Sequence, residues 1–189
     1  GILKPSLNWR LLANLARRHP HWSFVFVGAR NMDKNGNDLL DELAGLKNVY
    51  LLGRKSVWDL AAYPQHFDVC IMPYEVNGYT NNIYPLKLHE YLASGRPIVA
   101  TPIRSLHEFR DVITIADSDE EWSTGLSRAL APSARCCEAA RARQAIARRY
   151  DWSEIVYGIA RSVCEHLGAD YLRQLRQLRF DTTGRSLAS

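Results

Sequence analysis

Apolar residues fall at Leu7, Leu11, Leu12 and Leu15 in "LNWRLLANLARRH", a stripe with helical spacing. The pattern then changes. "WSFVFVGAR" is a β-rich run that ends in Gly28, "NDLLDELAGL" reads as a short helix, and "NVYLLG" as a strand. Ser56 is placed to cap a helix through "VWDLAAY", with Asp59 three residues on as a weak capping box. "FDVCIMPY" lacks apolar–polar alternation and predicts a strand buried on both faces. A helix is expected from about Pro85 to Ser94, ended by Gly95. "PIVAT" and "DVITIA" follow as strands. Strands alternating with helices imply a doubly wound α/β fold, a Rossmann-like parallel sheet with helices on both faces. From about Asp119 only helices are predicted: "DEEWSTGLSRAL", "SARCCEAARARQAIARR" and "WSEIVYGIARSVCEHLGADYLRQLRQLR". We expect one domain over residues 1–168, then a C-terminal helix and a frayed tail, "FDTTGRSLAS", over 169–189.

Composition narrows the class. The chain has 189 residues, 47% of them hydrophobic, enough for one cored domain with a helical appendage. Its longest apolar runs are of strand length, far short of the roughly 20 residues that span a bilayer. The opening "GILKPSLNW" has no basic region followed by an apolar run, so no signal peptide is visible. Cys70, Cys136, Cys137 and Cys164 show no C-x-x-C or Cys/His zinc spacing, and reduced thiols in a cytoplasmic protein are expected. The net charge of +4 is mildly basic. The Arg-rich stretches "RARQAIARR" and "RQLRQLR" lack interleaved aromatics, so they read first as solvated helix faces, next as a peripheral contact with an anionic membrane, and last as nucleic-acid binders.

In an open parallel sheet, ligands bind beyond the carboxyl ends of the strands. Three features sit at such ends: Gly28-Ala29-Arg30, Gly53-Arg54-Lys55, and the loop from Pro73 to Tyr84. The third is the most specific. Pro85 suits a first helical turn, where its missing N–H costs nothing. The remaining free N–H groups and the helix dipole make an anion site, most naturally for phosphate. Lys87 adds a full positive charge, and Glu90, three residues on, shares its face. A carboxylate one turn from a phosphate can accept from two vicinal hydroxyls, as on a ribose. Thr80, Asn81 and Asn82 supply polar groups just before the helix, where a further sugar can sit, and Gly78 lets the backbone approach closely. The plainer reading is a solvated Lys87–Glu90 pair of little energetic weight. The residues alone leave both readings open.

The segment "YPLKLHEYLASGRPIVAT" resembles the nucleotide-sugar motif of GT-B fold glycosyltransferases, especially the family 4-like, group 1 retaining enzymes. Their pattern reads roughly P-L-K-x-x-E-Y-x-A-x-G-x-P-V-V-A-T. "PHWSFVFVGAR", "NVYLLGRKSVWDLAAY" and "FDVCIMPY" resemble the upstream steps of that family in kind and order. The resemblance runs from about Pro5 to Thr101 and thins out toward Tyr171. It implies that Glu90 binds the donor ribose, that Lys87 and the amides near Ile83, Tyr84 and Leu86 hold the diphosphate, that Gly53, Arg54 and Lys55 lie near the base, and that Gly28 and Arg30 face the phosphate crevice. The donor substrate is then a nucleotide diphosphate sugar, with no cofactor and no metal. Among the dispersed histidines, His89 is expected on another helix face as a packing or surface residue, and Arg104 and Ser105 lie on a loop that the family sometimes uses.

Two departures matter. The family often has Glu-x7-Glu, but eight positions before Glu90 stands Asn82, an amide that cannot act as a base. GT-B enzymes also have two domains of similar size, and this chain has room for one. It is expected to begin inside the second, with the acceptor-binding N-terminal domain missing and no catalysis by this half alone. Rival readings are a nucleotide-sugar epimerase-like enzyme and a non-catalytic α/β interaction module.

Overall fold

The computed structural model of the protein describes residues 1–32 and 34–177. The tail expected over "FDTTGRSLAS" lies outside the described residues. Helix α1 spans Trp9–Arg18. It starts where Asn8 accepts a hydrogen bond from the Leu11 amide through its side chain (2.9 Å), and Arg17 and Arg18 sit at its dipole-negative end. Its apolar stripe, Leu11, Leu12 and Leu15, is buried. Strand β1 (Phe24–Phe26), helix α2 (Lys34–Ala44) and strand β2 (Val49–Leu51) follow, and β1 pairs in parallel with β2, Phe24 opposite Val49.

A short helix α3 (Val57–Leu60) is capped by Ser56, which accepts from the Asp59 amide at 3.1 Å. Strand β3 (Cys70–Met72), helix α4 (Lys87–Ser94) and strand β4 (Ile98–Ala100) form the next crossover, with Cys70 opposite Ile98 in parallel. Strand β5 (Thr114–Ile115) pairs with the other edge of β4. Helix α5 (Asp119–Leu130) carries three acids in its first turn behind the Ser118 cap. Val99 packs in the main core with Trp122 and Leu126 of α5, Leu12 of α1, and Leu40 and Leu43 of α2. Side chains alternate along a strand, so Ile98 and Ala100, equally buried, face the opposite way. Both faces of the sheet are therefore covered, as a parallel sheet requires.

The expected parallel sheet is present as two pieces, β2–β1 and β3–β4–β5. The residues ahead of α1, which the sequence pattern left unassigned, join the pieces at their carboxyl ends. Leu3 donates its amide to Ala29 (2.9 Å) and accepts from Asn31 (2.9 Å), beside β1. Glu75 donates to Ser6 (2.9 Å) and Asn8 donates to Pro73 (2.7 Å), beside β3.

The chain divides into two compact units, Gly1–Arg143 and Gln144–Ser189. Helix α6 (Cys137–Arg149) carries the boundary. In the second unit the long helical pattern is broken at Gly168 into α7 (Trp152–Leu167) and α8 (Ala169–Gln177), which pack on each other. All four cysteines are free thiols, and burial pushes that of Cys70 up to about 12. Among the described residues no helix is long and apolar enough to cross a membrane.

Arg143 ties the start of α6 to α4. Its buried guanidinium donates to the Gly95 carbonyl through Nε (2.9 Å) and to Ala134 through Nη2 (2.7 Å). Arg143→Met leaves both carbonyls without their donor. We expect the urea unfolding free energy to fall by about 1–3 kcal/mol, the cost of unsatisfied buried acceptors.

Candidate functional site

Where β3 ends, the chain leaves the sheet at Pro73 and folds into a tight loop before α4. Asn77 organises the loop: its side-chain oxygen accepts from the amides of Tyr79 and Thr80, both at 3.0 Å. Thr80 is fully buried. Its hydroxyl donates to the Glu75 carbonyl and accepts from the Asn77 amide (2.9 Å). Asn82 donates its side-chain amide to the Gly78 carbonyl at 2.6 Å. Ser105 then donates to the Ile83 carbonyl (2.8 Å), pinning the loop to the segment after β4.

Helix α4 starts beyond this loop with no side chain capping it. Its carboxyl end is finished: Gly95 adopts the left-handed conformation (φ 72°) and donates to Leu92 at 3.0 Å. The open amino end borders a cavity of about 420 Å³ at the carboxyl ends of β1 and β3. Lys87 and Glu90 stand at its wall, with Lys87 Nζ donating to Glu90 Oε2 at 2.6 Å. The Lys87 side chain is 26% exposed and that of Glu90 is 54% exposed, so the ammonium is the more enclosed partner. The α-amino group of Gly1 enters the same space and donates to the Val27 carbonyl (2.7 Å). Its pKa is lowered, first by burial and then by the charge of Lys87, with Glu90 acting the other way. Lys4 and Lys87, set against the single carboxylate Glu90 among the lining residues, leave the cavity wall net positive, suited to an anion.

Tyrosines supply much of the remaining wall. Burial raises the pKa of Tyr74 and of Tyr91, so both stay neutral phenols. Tyr84 shares a hydrogen bond of 2.8 Å with His89 Nε2, and their rings stack with centroids 5.5 Å apart. The imidazole also meets Phe109 edge-on at 6.0 Å, so His89 is a packing residue.

Of the residues singled out from sequence, Ile83, Tyr84, Leu86, Lys87 and Glu90 line the cavity together. The Ile83 amide, however, donates to Thr80 (3.3 Å) within the loop. Thr80, Asn81 and Asn82 belong to the loop knot rather than to the cavity wall. Gly28 packs against Gly1; a side chain there would overlap the Gly1 carbonyl. Arg30 pairs with Asp41 (2.5 Å), away from the cavity. Gly53 adopts φ 67° and accepts from the Gly28 amide (2.9 Å), while Arg54 and Lys55 project into solvent outside the wall. Sequence reasoning did not single out Tyr74, Tyr79 and Tyr91. Tyr74 and Tyr79 lie in the loop it marked as a whole, and Tyr91 lies inside the predicted helix, beside Glu90. Among the described residues no group of three or more His, Cys, Asp or Glu is placed to hold a metal ion.

Residues 8–131 match the family described as glycosyl transferases group 1. Over 105 residues the chain is 35% identical to TuaH of Bacillus subtilis (strain 168), assigned to teichuronic acid biosynthesis as a glycosyltransferase; the match covers 56% of this chain and 26% of TuaH. Among solved structures, Anabaena HepE in complex with UDP and glucose aligns with a TM-score of 0.59 at 15% identity, over 78% of this chain and 43% of HepE. WaaG, a glycosyltransferase of lipopolysaccharide biosynthesis, aligns with a TM-score of 0.56 at 19% identity, over 79% of this chain and 43% of WaaG. An E. coli trehalose-6-phosphate protein bound with UDP-2-fluoro glucose aligns at 0.58 and 14% identity, over 79% of this chain and 40% of its own. The chain thus spans less than half the length of each of these relatives.

Two measurements test the local account. Thr80→Val keeps the shape but removes the hydroxyl, and we expect a loss of about 1–3 kcal/mol in urea with faster exchange of the Asn77 amide. His89 has its pKa lowered by burial, against an opposing effect of Glu108. The unfolded chain then takes up the proton more readily than the folded one. This contribution to stability is whole above about pH 6.5 and is lost as pH falls below it. His89→Gln should flatten the decline in unfolding free energy between about pH 7.5 and 5.5.

Proposed function

The chain belongs to the glycosyl transferases of group 1, and from that premise we propose that it binds a nucleotide diphosphate sugar at the amino end of α4, as the donor half of a GT-B enzyme. The observation that carries the reading is the uncapped start of α4, open to a cavity with Lys87 in the first turn and Glu90 one turn along. The amides of Leu86 and Lys87, which precede the first bonds of the helix (Leu88 to Pro85, 2.9 Å; His89 to Leu86, 3.1 Å), and the Lys87 ammonium receive the diphosphate. Glu90 accepts hydrogen bonds from the ribose hydroxyls. The Lys87–Glu90 contact of 2.6 Å holds both groups in place before ligand arrives, and Lys87 can turn to phosphate without leaving the cavity.

HepE holds UDP and the E. coli protein holds a UDP sugar, which supports a uridine donor here; GDP remains the comparison to measure. The reaction proposed is transfer of the sugar to an acceptor hydroxyl in surface glycan or glycolipid synthesis. The acceptor is held by an N-terminal domain that this chain does not contain, and this half alone is inactive. No metal is required: helix N–H groups and Lys87 stabilise the departing diphosphate. The protein acts in the cytoplasm, with its basic helices in peripheral contact with the inner face of the membrane.

Titration with UDP, GDP, ADP and their sugars, followed by thermal shift, tests the site. Bound ligand raises the melting temperature in proportion to the logarithm of its excess over Kd. We expect Lys87→Ala to weaken diphosphate binding roughly 10- to 100-fold, the worth of a charge-assisted hydrogen bond. Glu90→Ala should weaken nucleosides carrying the ribose diol and spare inorganic pyrophosphate. Unchanged affinity in both folded variants removes the assignment.

A further inference from the structure

Two nucleophiles stand outside the site already described. Cys136 and Cys137 are neighbours in the chain, and both are free and exposed. Cys70 is their opposite: buried, with its thiol pushed up to about 12, it stays protonated and out of reach. Exposed thiols with a second thiol beside them can react in sequence, the first attacking and the second resolving. A cation completes the setting. Burial lowers the pKa of the Arg143 guanidinium and Cys136 acts the other way, so the two groups are near enough to sense each other's charge. Reactive cysteines are commonly found beside such a cation.

The segment that carries the pair is pinned at both ends. Before it, Arg135 pairs with Asp68 (2.5 Å), just ahead of β3. After it, Arg143 donates to the Gly95 carbonyl (2.9 Å) and reaches back to that of Ala134 (2.7 Å). Between these ties the Cys136 amide donates to Ser133 (3.4 Å), and the Cys136 carbonyl accepts from Ala140 (3.0 Å) at the start of α6.

We propose that Cys136 and Cys137 form a modification site for low-molecular-weight disulfides, and that its product, a disulfide between the two, loosens the start of α6. One thiolate attacks a sulfur of the small disulfide; the S–S bond breaks and one small thiol leaves. The neighbouring thiolate attacks the mixed disulfide so formed and expels the second small thiol. Two electrons pass to the small disulfide, and the two protons of the protein thiols end on the two small thiols. The product does not fit the present backbone. Adjacent Cα atoms lie about 3.8 Å apart across a trans peptide, while disulfides ordinarily need about 4.4 Å or more. The peptide between the two residues must therefore turn, and the Cys136 carbonyl with it. Ala140 loses its acceptor, and the chain that presents Ala134 to Arg143 shifts. Because Arg143 also holds Gly95, the disturbance runs to the carboxyl end of α4. Strained, exposed disulfides are the readily reduced ones, which makes the modification reversible.

The test treats the full chain with oxidised glutathione and follows intact mass, peptide maps, amide exchange and the urea midpoint. The peptide holding Cys136 and Cys137 should lose two hydrogens and keep no glutathione. The Ala140 amide should then exchange roughly tenfold faster or more, the urea midpoint should fall, and dithiothreitol should restore both. Cys136→Ser and Cys137→Ser should each keep one glutathione on the remaining thiol, with no fall in the midpoint on treatment. Glutathione retained on the native pair, a pair that stays unreacted, or a disulfide formed only between two copies overturns the proposal. So does closure of the disulfide with the Ala140 amide and the midpoint unmoved.

Discussion

The fold and the site both hang on the point where β3 leaves the sheet. Thr101, buried at the end of β4, accepts from the Tyr74 amide (3.1 Å) and donates to the Met72 carbonyl (3.3 Å). The carbonyl between them, that of Pro73, accepts from Asn8 at 2.7 Å. Three consecutive residues are therefore fixed from two directions, by β4 on one side and by the start of α1 on the other. Buried backbone groups need such partners, and each one left unmet costs about 1–3 kcal/mol. The loop that follows inherits this fixed origin, and so does α4 behind it.

Stability and function divide α4 between its ends. A helix of eight residues is marginal on its own in water. Leu88 and Leu92 are fully buried, Gly95 closes the last turn, and Arg143 holds the Gly95 carbonyl. All of this lies along the inner face or at the carboxyl end. The amino end forgoes a side-chain cap, a device worth about 0.5–2 kcal/mol where present. The Lys87–Glu90 contact does not compensate, because a half-exposed pair contributes at most about 1 kcal/mol. Under the donor-binding reading, this open end beside a net positive cavity is where the ligand sits.

Much of this was legible in the residues. The run "FDVCIMPY", by its lack of alternation, marked a strand with both faces covered, and Gly95 marked the end of α4. Lys87 and Glu90 were legible because three residues of helix place two side chains on one face. Partner choice was not. Nothing local tells Arg30 to pair with Asp41 rather than face the crevice, since the two meet only after α2 packs. Thr80 read as a sugar-facing hydroxyl in a polar run, yet it is the loop's buried fastening, a role set by carbonyls that the fold delivers. Periodicity identified the five described strands but could not say which of them touch, and the described strands pair as two pieces.

The loop also bears on the chemistry open to the site. At the position where the resemblance leads one to expect a glutamate, Asn82 commits its side-chain N–H to the Gly78 carbonyl (2.6 Å). That bond orients the amide and leaves its oxygen, an acceptor without charge, beside one further N–H. It can meet a sugar hydroxyl, but it takes up no proton at neutral pH. Its attraction for a developing positive charge is weaker than a carboxylate's, because hydrogen bonds to ionised groups are roughly twice as strong as neutral ones. Glu90 is then the nearest carboxylate on the cavity wall, and it is already engaged with Lys87. Under the donor-binding reading this corner is built to hold a departing diphosphate rather than to exchange protons with a sugar, so the groups that activate an acceptor hydroxyl must come from outside it.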